Sequence, residues 1–492
     1  MHHASGPVPG LRRNLLNGAP VRADGEYVLY WMTAFRRRAY NLALQRAVER
    51  AQELRKPLLV FEGLRCDYPC ASDRLHAFVL QGMMANLRSI TQGGARYFPY
   101  VEREAGEGKG LLEALARRAC LVVTDDHPGF FLPAMRRAAA AKLSVALEAV
   151  DSNGILPLRA APGAFPTAHA FRRFLQNNLM DHLLASPSPD PLDGAGLPQL
   201  EAFPSGIVER WPPAEAGLFS GAAERVRSLP LNHAVPPSTL PGGEAAARRH
   251  VEAFVAGKLS RYSEDRNHPD REGASGLSPY LHFGHISAHE VFAAVARTEG
   301  WSPEHLPVKA TGSREGWWGM SASAEAFVDQ LVTWRELAFN GAAHMARYDE
   351  YESLPAWARA TLGAHGADRR SHLYSRQDLE EARTHDALWN AAQRQLVREG
   401  RLHTYLRMLW GKKILEWSPS PEAALERMVR LNDTYALDGR DPNSVAGIFW
   451  TLGRYDRPWG PVRSIFGTVR YMSSENTARK VRVKGYLERF SD

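Results

Sequence analysis

The chain has 492 residues, enough for two to four domains at about 100–200 residues each. Hydrophobic residues make up 44% and charged residues 23%, which excludes a wholly disordered chain. Lys and Arg total 61 against 54 Asp and Glu, a net charge of +7 that an anionic partner or an ordinary mixed-charge surface explains equally well. Three cysteines, Cys66, Cys70 and Cys120, exclude a disulfide scaffold, and Cys-x3-Cys without a second Cys or His pair argues against zinc, so no metal is expected. No apolar run approaches the ~20 residues that span a bilayer, and the N-terminus lacks an apolar signal core. A cytoplasmic protein is expected, nucleoid-associated in a bacterium, with residues 1–24 as a loose leader.

From there the pattern alternates. Tyr27–Trp31 reads as a buried strand, 39–54 as a helix and Pro57–Phe61 as a second strand. A helix at 75–90, a strand at Ala95–Tyr100, a helix at 110–118, a strand at Cys120–Thr124, a helix at 130–141 and a strand at Leu143–Ala149 follow. Alternating strands and helices predict a parallel, Rossmann-like sheet covered on both faces. The stretch Gly106-Glu-Gly-Lys-Gly110 fits neither phosphate-loop pattern and reads as a solvated turn. Prolines from Pro187 to Pro241 mark a surface linker. Beyond it the period is helical, at 246–259, 287–297, 323–345, 378–399, 401–416 and 420–431. The expected domains are therefore 25–165 (α/β), 166–244 (linker) and 245–492 (all-α).

Three segments of the helical half carry chemistry. In Ser275-Gly-Leu-Ser-Pro-Tyr-Leu-His-Phe-Gly-His-Ile-Ser287, hydroxyls and backbone N–H groups precede a helix start at Pro279. That arrangement suits a phosphate or a plain helix cap. In Arg407-Met-Leu-Trp-Gly-Lys-Lys-Ile-Leu-Glu-Trp417, Arg407, Trp410 and Trp417 share one helix face. Seven positions separate the two indoles by about 10.5 Å. Trp389, from Asp386-Ala-Leu-Trp-Asn390, could fill that gap and complete a stepping-stone chain. A tryptophan-rich helix interface is the other reading. The third segment, Leu431-Asn-Asp-Thr-Tyr-Ala-Leu-Asp-Gly-Arg-Asp-Pro-Asn443, reads as a polar, turn-rich loop between apolar helices, and either a polar heterocycle or Asp/Asn capping would use it.

Taken with Trp334-Arg-Glu-Leu, His385-Asp-Ala-Leu-Trp-Asn and Arg470-Tyr-Met, these segments occur in the order found in the photolyase/cryptochrome family. The whole chain resembles that family, and residues 378–480 resemble the class II cyclobutane pyrimidine dimer photolyases. The resemblance implies an α/β antenna-type domain, a long linker and a helical FAD domain, with one FAD per chain, active as FADH⁻. Tyr262 and Ser275, Gly276, Leu277 and Ser278 would hold the diphosphate and ribityl side. Arg407 and Asp438 would pair beside the isoalloxazine, with Asn432 near N5, and Gly439 and Arg440 would complete the flavin set. Trp334 and Trp450 would be the aromatic walls for a flipped dimer, with Met408 in the same pocket. Trp410, Trp389 and Trp417 would relay electrons, in that order from flavin to surface. Arg457, Arg470 and Lys480 would contact the phosphates of UV-damaged DNA.

The implied activity is light-driven splitting of pyrimidine dimers, a carbon–carbon lyase reaction, by a monomer without membrane association. A cryptochrome-like blue-light photoreceptor is the alternative. Two positions depart from the family pattern. Gln330 stands where the class II pattern has Glu, four residues before Trp334. Met32-Thr-Ala-Phe-Arg-Arg-Arg38 replaces an Arg-Asp-x-Arg type of turn, which leaves open an antenna chromophore, deazaflavin or folate.

Overall fold

The computed structural model describes residues 6–307 and 309–491. The chain forms two compact units. One comprises Met1–Pro162, Asn178–Glu252 and Leu277–Ala296; the other comprises Gly163–Asn177, Ala253–Gly276 and Arg297–Asp492.

The first unit is built on six strands: β1 (Arg13–Leu15), β2 (Tyr27–Met32), β3 (Leu58–Leu64), β4 (Arg96–Val101), β5 (Ala119–Asp125) and β6 (Leu147–Val150). Between them run helices α1 (Leu42–Leu54), α2 (Asp73–Gln92), α3 (Leu111–Ala116) and α4 (Leu132–Lys142). The spatial order is β1-β6-β5-β2-β3-β4, parallel except for β1, which pairs antiparallel with β6. Each strand and helix expected from the alternation of 27–149 is present. The reason is visible along β2, where side chains point to opposite faces in turn. Val28, Tyr30 and Met32 join a core with Leu42, Leu44 and Ala47 of α1. Tyr27, Leu29 and Trp31 join another with Leu111 and Leu115 of α3 and Ala139 of α4. Burial on both faces gives the continuous apolar run.

Two stretches differ from the sequence reading. Within the segment read as a loose leader, β1 pairs Arg13 with Val150, Asn14 with Ala149 and Leu15 with Glu148. Its side chains are all exposed, so no hydrophobic alternation announces it. Within the segment read as linker lies helix α5 (Ala168–Leu184). Phe171, Leu175 and Leu179, four apart and all buried, form its inner stripe. The turn at Gly106–Gly110 leads into α3 as read, with Gly110 at the helix start in the left-handed region.

All named strands end by Val150, and the later elements are helical. Those used below are α6 (Ala322–Val328), α7 (Arg335–His344), α8 (Ala387–Glu399), α9 (Thr404–Glu416), α10 (Pro421–Tyr435) and α11 (Pro442–Thr451). The helix expected over 378–399 is two helices, Arg376–Glu380 and α8. Ala382 has φ 55°, and the Asp386 carboxylate accepts from Trp389 N at 3.0 Å to start α8 anew. The helix expected over 323–345 contains a π-helical turn, Asp329–Trp334, between α6 and α7. The loop expected over 431–443 is shorter. Helix α10 runs on to Tyr435, and Asp441 caps α11 by accepting from Asn443 N at 2.8 Å. Among the described residues, no helix is long and apolar enough to cross a membrane. No His/Cys/Asp/Glu group among them could hold a metal ion.

Candidate functional site

The chemistry of the second unit collects where α9, α10 and α11 pack. Gly411 permits the approach: a Cβ there would meet Thr451 Cγ2 of α11 at 2.6 Å and Met428 Sδ of α10 at 3.0 Å. Arg407, one turn earlier on α9, donates from Nη2 to both Asp438 oxygens, at 3.0 and 3.1 Å. Its Nη1 reaches Asn432 Oδ1 at 3.4 Å and Ser444 Oγ at 3.2 Å. Asn432 Nδ2 donates to Ser444 Oγ and to Asp433 Oδ1, each at 2.9 Å. The Asp433 carboxylate also accepts from Arg440 N at 2.9 Å, fixing the turn that carries Asp438. A Cβ at Gly439 would lie 3.0 Å from Asn432 O and from Asp433 Cα, so that turn folds back onto α10. The Arg407 and Asp438 side chains remain 15% and 16% exposed, open on one side. Met408, half-buried, follows Arg407 on the same helix. Thus Arg407, Asp438, Asn432, Gly439 and Arg440 meet in one cluster, and the sequence did not reveal Ser444 as the shared partner of Arg407 and Asn432.

This donor set tests the flavin expectation. A guanidinium held on one edge by a carboxylate, an amide and a hydroxyl is a fixed cation with an open face. It fits an anionic heterocycle edge. Tyr262 lies in the same unit, edge-on to Phe254 at 5.8 Å and Phe327 at 5.4 Å between ring centroids. The Arg266 guanidinium lies 5.5 Å from its ring centre. Burial pushes the Tyr262 phenol above its ordinary pKa, so it remains a neutral hydroxyl. Ser275 and Gly276 are half-buried at the end of one segment of the second unit, and Gly276 has φ +67°. Leu277 and Ser278 belong to the first unit, where Ser278 is exposed and opens the one-turn helix Ser278–His282.

The three tryptophans form a connected buried array. Trp389 of α8 donates from Nε1 to the Trp410 carbonyl at 3.0 Å. Trp410 Nε1 donates to Gln393 Oε1 at 2.9 Å. Trp389 and Trp417 meet edge-on, 5.5 Å between centroids. Trp389 therefore sits in the gap that the helix spacing left. The outward end differs from expectation: Trp417 is 1% exposed, against 0% for Trp389 and 2% for Trp410. Helix α9 ends at Glu416, and packing beyond it covers Trp417. The array as expected stops short of the surface.

The π-helical turn accounts for the side chains near Gln330. An extra residue in the turn aims Asp329 inward, where it is buried. There it accepts a two-pronged pair from Arg172 of α5, at 2.8 and 3.2 Å. Asp329 is thus committed to Arg172 and does not substitute for the family Glu. Gln330 is half-buried, and its side chain has no hydrogen bond among the described residues. Trp334 and Trp450 stack on each other, with centroids 5.1 Å apart and planes at 28°. They present one aromatic surface, since no base fits between rings in contact.

Near the C-terminal end an exposed cationic hairpin follows α11. Trp459 N bonds Thr468 O at 2.8 Å, and Arg463 pairs with Gly467. Two exposed guanidiniums lie against the Trp459 ring, Arg457 at 4.7 Å and Arg470 at 5.0 Å from its centroid. Arg463, not picked out by sequence, lies 4.9 Å over Tyr471. Lys480 is exposed on a separate short helix, Ser474–Lys480. Beneath this region Lys412 of α9 is buried and donates to Thr451 O, and burial lowers its pKa to about 7.

In the first unit, the turn after β2 is already filled. The Asp125 carboxylate accepts from the N–H groups of Thr33, Ala34 and Phe35 at 2.8, 2.6 and 2.9 Å. It also accepts from the Tyr30 hydroxyl at 2.7 Å. This backbone nest at the carboxyl end of the sheet is closed by the chain's own anion.

No family model matches the chain. It is 34% identical over 481 residues to a deoxyribodipyrimidine photo-lyase of Methanothermobacter thermautotrophicus, covering 96% of each chain. It is 34% identical to that of Oryza sativa subsp. japonica, covering 94% of this chain and 87% of that one. It is 30% identical to that of Arabidopsis thaliana, covering 97% and 92%. A bacterial class III photolyase from Agrobacterium tumefaciens shares the fold with TM-score 0.68 at 18% identity, covering 95% and 86%. A Synechocystis cryptochrome does so with TM-score 0.62 at 14% identity, covering 94% and 88%. The fold is that of the photolyase and cryptochrome proteins, as expected from the sequence. The chain belongs to the deoxyribodipyrimidine photo-lyase family, a family of enzymes.

Proposed function

We propose that this protein is a class II photolyase that splits cyclobutane pyrimidine dimers in UV-damaged DNA with light, using FAD. The Arg407–Asp438 pair, backed by Asn432 and Ser444, is the observation that carries this reading. When bound, reduced FAD would supply the photoexcited electron. The protein's part is binding and electrostatics. Arg407 offers a fixed positive charge to an anionic flavin edge, and Asp438 holds that charge in place. Tyr262, Ser275 and Gly276 of the second unit are assigned to the diphosphate and ribityl side.

A dimer must leave the helix stack to reach such a site, and a damaged, poorly paired step costs less to flip. The joint Trp334/Trp450 surface supports capture of the flipped base, at about 1–3 kcal/mol per stacked base. Gln330 can donate its free amide to a pyrimidine carbonyl and can share no proton with it. The hairpin supports phosphate contacts. Arg470→Ala is expected to reduce the slope of log affinity against log salt by about 0.9 on duplex DNA. Trp450→Ala is expected to weaken discrimination for the lesion and keep most of that slope. Anisotropy titrations at several salt concentrations measure both, and an unchanged slope removes Arg470 from the contacts.

The test of the function is repair per absorbed photon by chemically reduced holoenzyme on dimer-containing oligonucleotide. Wild type is expected to repair, and Gln330→Glu to raise the yield several-fold at most with little change in dark affinity. General acid–base assistance is commonly worth about 10²–10⁴-fold, but ring opening after electron arrival is intrinsically fast. Higher yield in wild type than in the Glu variant would mean that the pocket is tuned around the amide. No repair by either would favour the photoreceptor reading, which the Gln330 substitution alone recommends.

A further inference from the structure

We propose that the tryptophan array continues through Tyr374, which ends it as a redox tyrosine whose proton passes to His385. The inference rests on the relay reading of Trp410, Trp389 and Trp417. A relay that recharges from outside must end where an external reductant can reach it, and Trp417 is 1% exposed. The Tyr374 ring meets Trp417 edge-on with centroids 5.3 Å apart, and Tyr374 is partly open to solvent. Its hydroxyl lies 2.6 Å from His385 Nδ1 and accepts from the His385 backbone N–H at 3.0 Å. The His385 ring is exposed and touches Trp417 at 5.4 Å. Electron donor, proton acceptor and solvent therefore meet at one place.

A neutral phenol gives up an electron readily only when its proton leaves with it. The step balances as follows. A Trp417 radical cation takes one electron from Tyr374, and Trp417 returns to its closed-shell form. The Tyr374 O–H bond breaks, the proton goes to His385 Nδ1, and the imidazolium releases its Nε2 proton to water. Oxidised flavin, when bound and photoexcited, would supply the oxidising equivalent through Trp410, and an external thiol finally reduces the tyrosyl radical. Lys413 favours outward movement, because its ammonium lies 5.5 Å over the Trp417 ring, although Glu416 at 2.9 Å and Asp386 at 3.9 Å share its charge. Burial, and then the neighbouring His372 ring stacked at 4.0 Å, hold the His385 imidazole below its ordinary pKa. Asp386 and Glu416 oppose that shift and Lys413 adds to it. Arg427 binds the Tyr374 carbonyl at 3.2 Å and holds the loop. The net direction keeps Nδ1 unprotonated, able to accept, at neutral pH.

Flash excitation of the oxidised, FAD-loaded protein followed by EPR identifies the terminal radical. Wild type is expected to show a tyrosyl signal. Tyr374→Phe, a conservative change at a partly exposed site, is expected to lose it, leave a tryptophan radical, and retain less reduced flavin at low thiol concentration. The wild-type tyrosyl signal should persist down to pH values below about 6.5, the ordinary histidine pKa, and vanish once His385 is protonated. A second readout needs no flavin. If the phenol donates to neutral Nδ1, Tyr374→Phe removes a bond to the neutral imidazole, and the His385 pKa measured by NMR rises. A fall in that pKa would overturn the proton route. A terminal tryptophan radical in wild type, unchanged in Tyr374→Phe, would overturn the proposal while leaving the relay standing. No radical in wild type, with Trp410→Phe behaving identically, would overturn the relay itself.

Discussion

Trp410→Phe is expected to abolish light-driven reduction of bound oxidised FAD in the presence of an external reductant. The same variant, chemically reduced beforehand, is expected to repair at the wild-type yield, the outcome that a recharging-only role for the array requires. Trp410 lies one turn beyond Arg407 on α9, and its carbonyl accepts the indole N–H of Trp389. Phenylalanine keeps that backbone link and removes the oxidisable indole. It also orphans Gln393 Oε1 in a fully buried place, at a cost of about 1–3 kcal/mol, and leaves a small cavity. The fold should survive that loss, and repair by the prereduced variant reports directly that it has. Absorbance of the bound flavin under continuous blue light measures the first effect and dimer repair the second. Photoreduction at the wild-type rate would make the tryptophans packing residues only.

Several parts of this architecture were legible because they depend on neighbours in sequence. The sheet was readable from strands buried on both faces, as the alternate commitments of Val28 and Leu29 illustrate. Arg407, Trp410 and Trp417 were readable as one helix face because α9 is unbroken. What escaped depends on distant partners. Arg172 had no apparent role until α5 brought it to Asp329, across 157 positions. That ion pair commits the Asp329 carboxylate and decides against its substituting for the family Glu. Tyr374 and His385 lie 11 apart across a break that helical periodicity concealed. Trp334 and Trp450 were expected as aromatic walls, and their mutual stacking, 116 positions apart in sequence, depends on the π-helical turn and the end of α11. The exposed β1 carried no pattern at all, because an edge strand needs only backbone groups to pair.

Breaking the Arg407–Asp438 pair from its two sides is expected to weaken flavin retention alike and to move the flavin potential in opposite directions. Truncating one partner of a buried, hydrogen-bonded charge pair costs about 2–5 kcal/mol. With both side chains about one-sixth exposed, the lower end applies here. At 1.4 kcal/mol per decade, 2 kcal/mol is a loss of about 30-fold in FAD affinity. Arg407→Ala removes the cation from the cluster and leaves Asp438 as an unpaired anion. Any anionic reduced flavin is then disfavoured, and the midpoint potential should fall. Asp438→Asn removes the counter-charge and leaves Arg407 tied only to Asn432, Ser444 and a neutral amide. The uncompensated cation should then favour the reduced anion, and the potential of whatever flavin remains should rise. A merely structural pair would lower affinity in both variants without separating their potentials. FAD titration of the flavin-free protein gives the affinities, and dye-coupled photometric reduction gives the potentials. Equal potentials in both variants would assign the pair to packing between α9 and the turn after α10. Wild-type affinity in both would place the flavin away from this cluster.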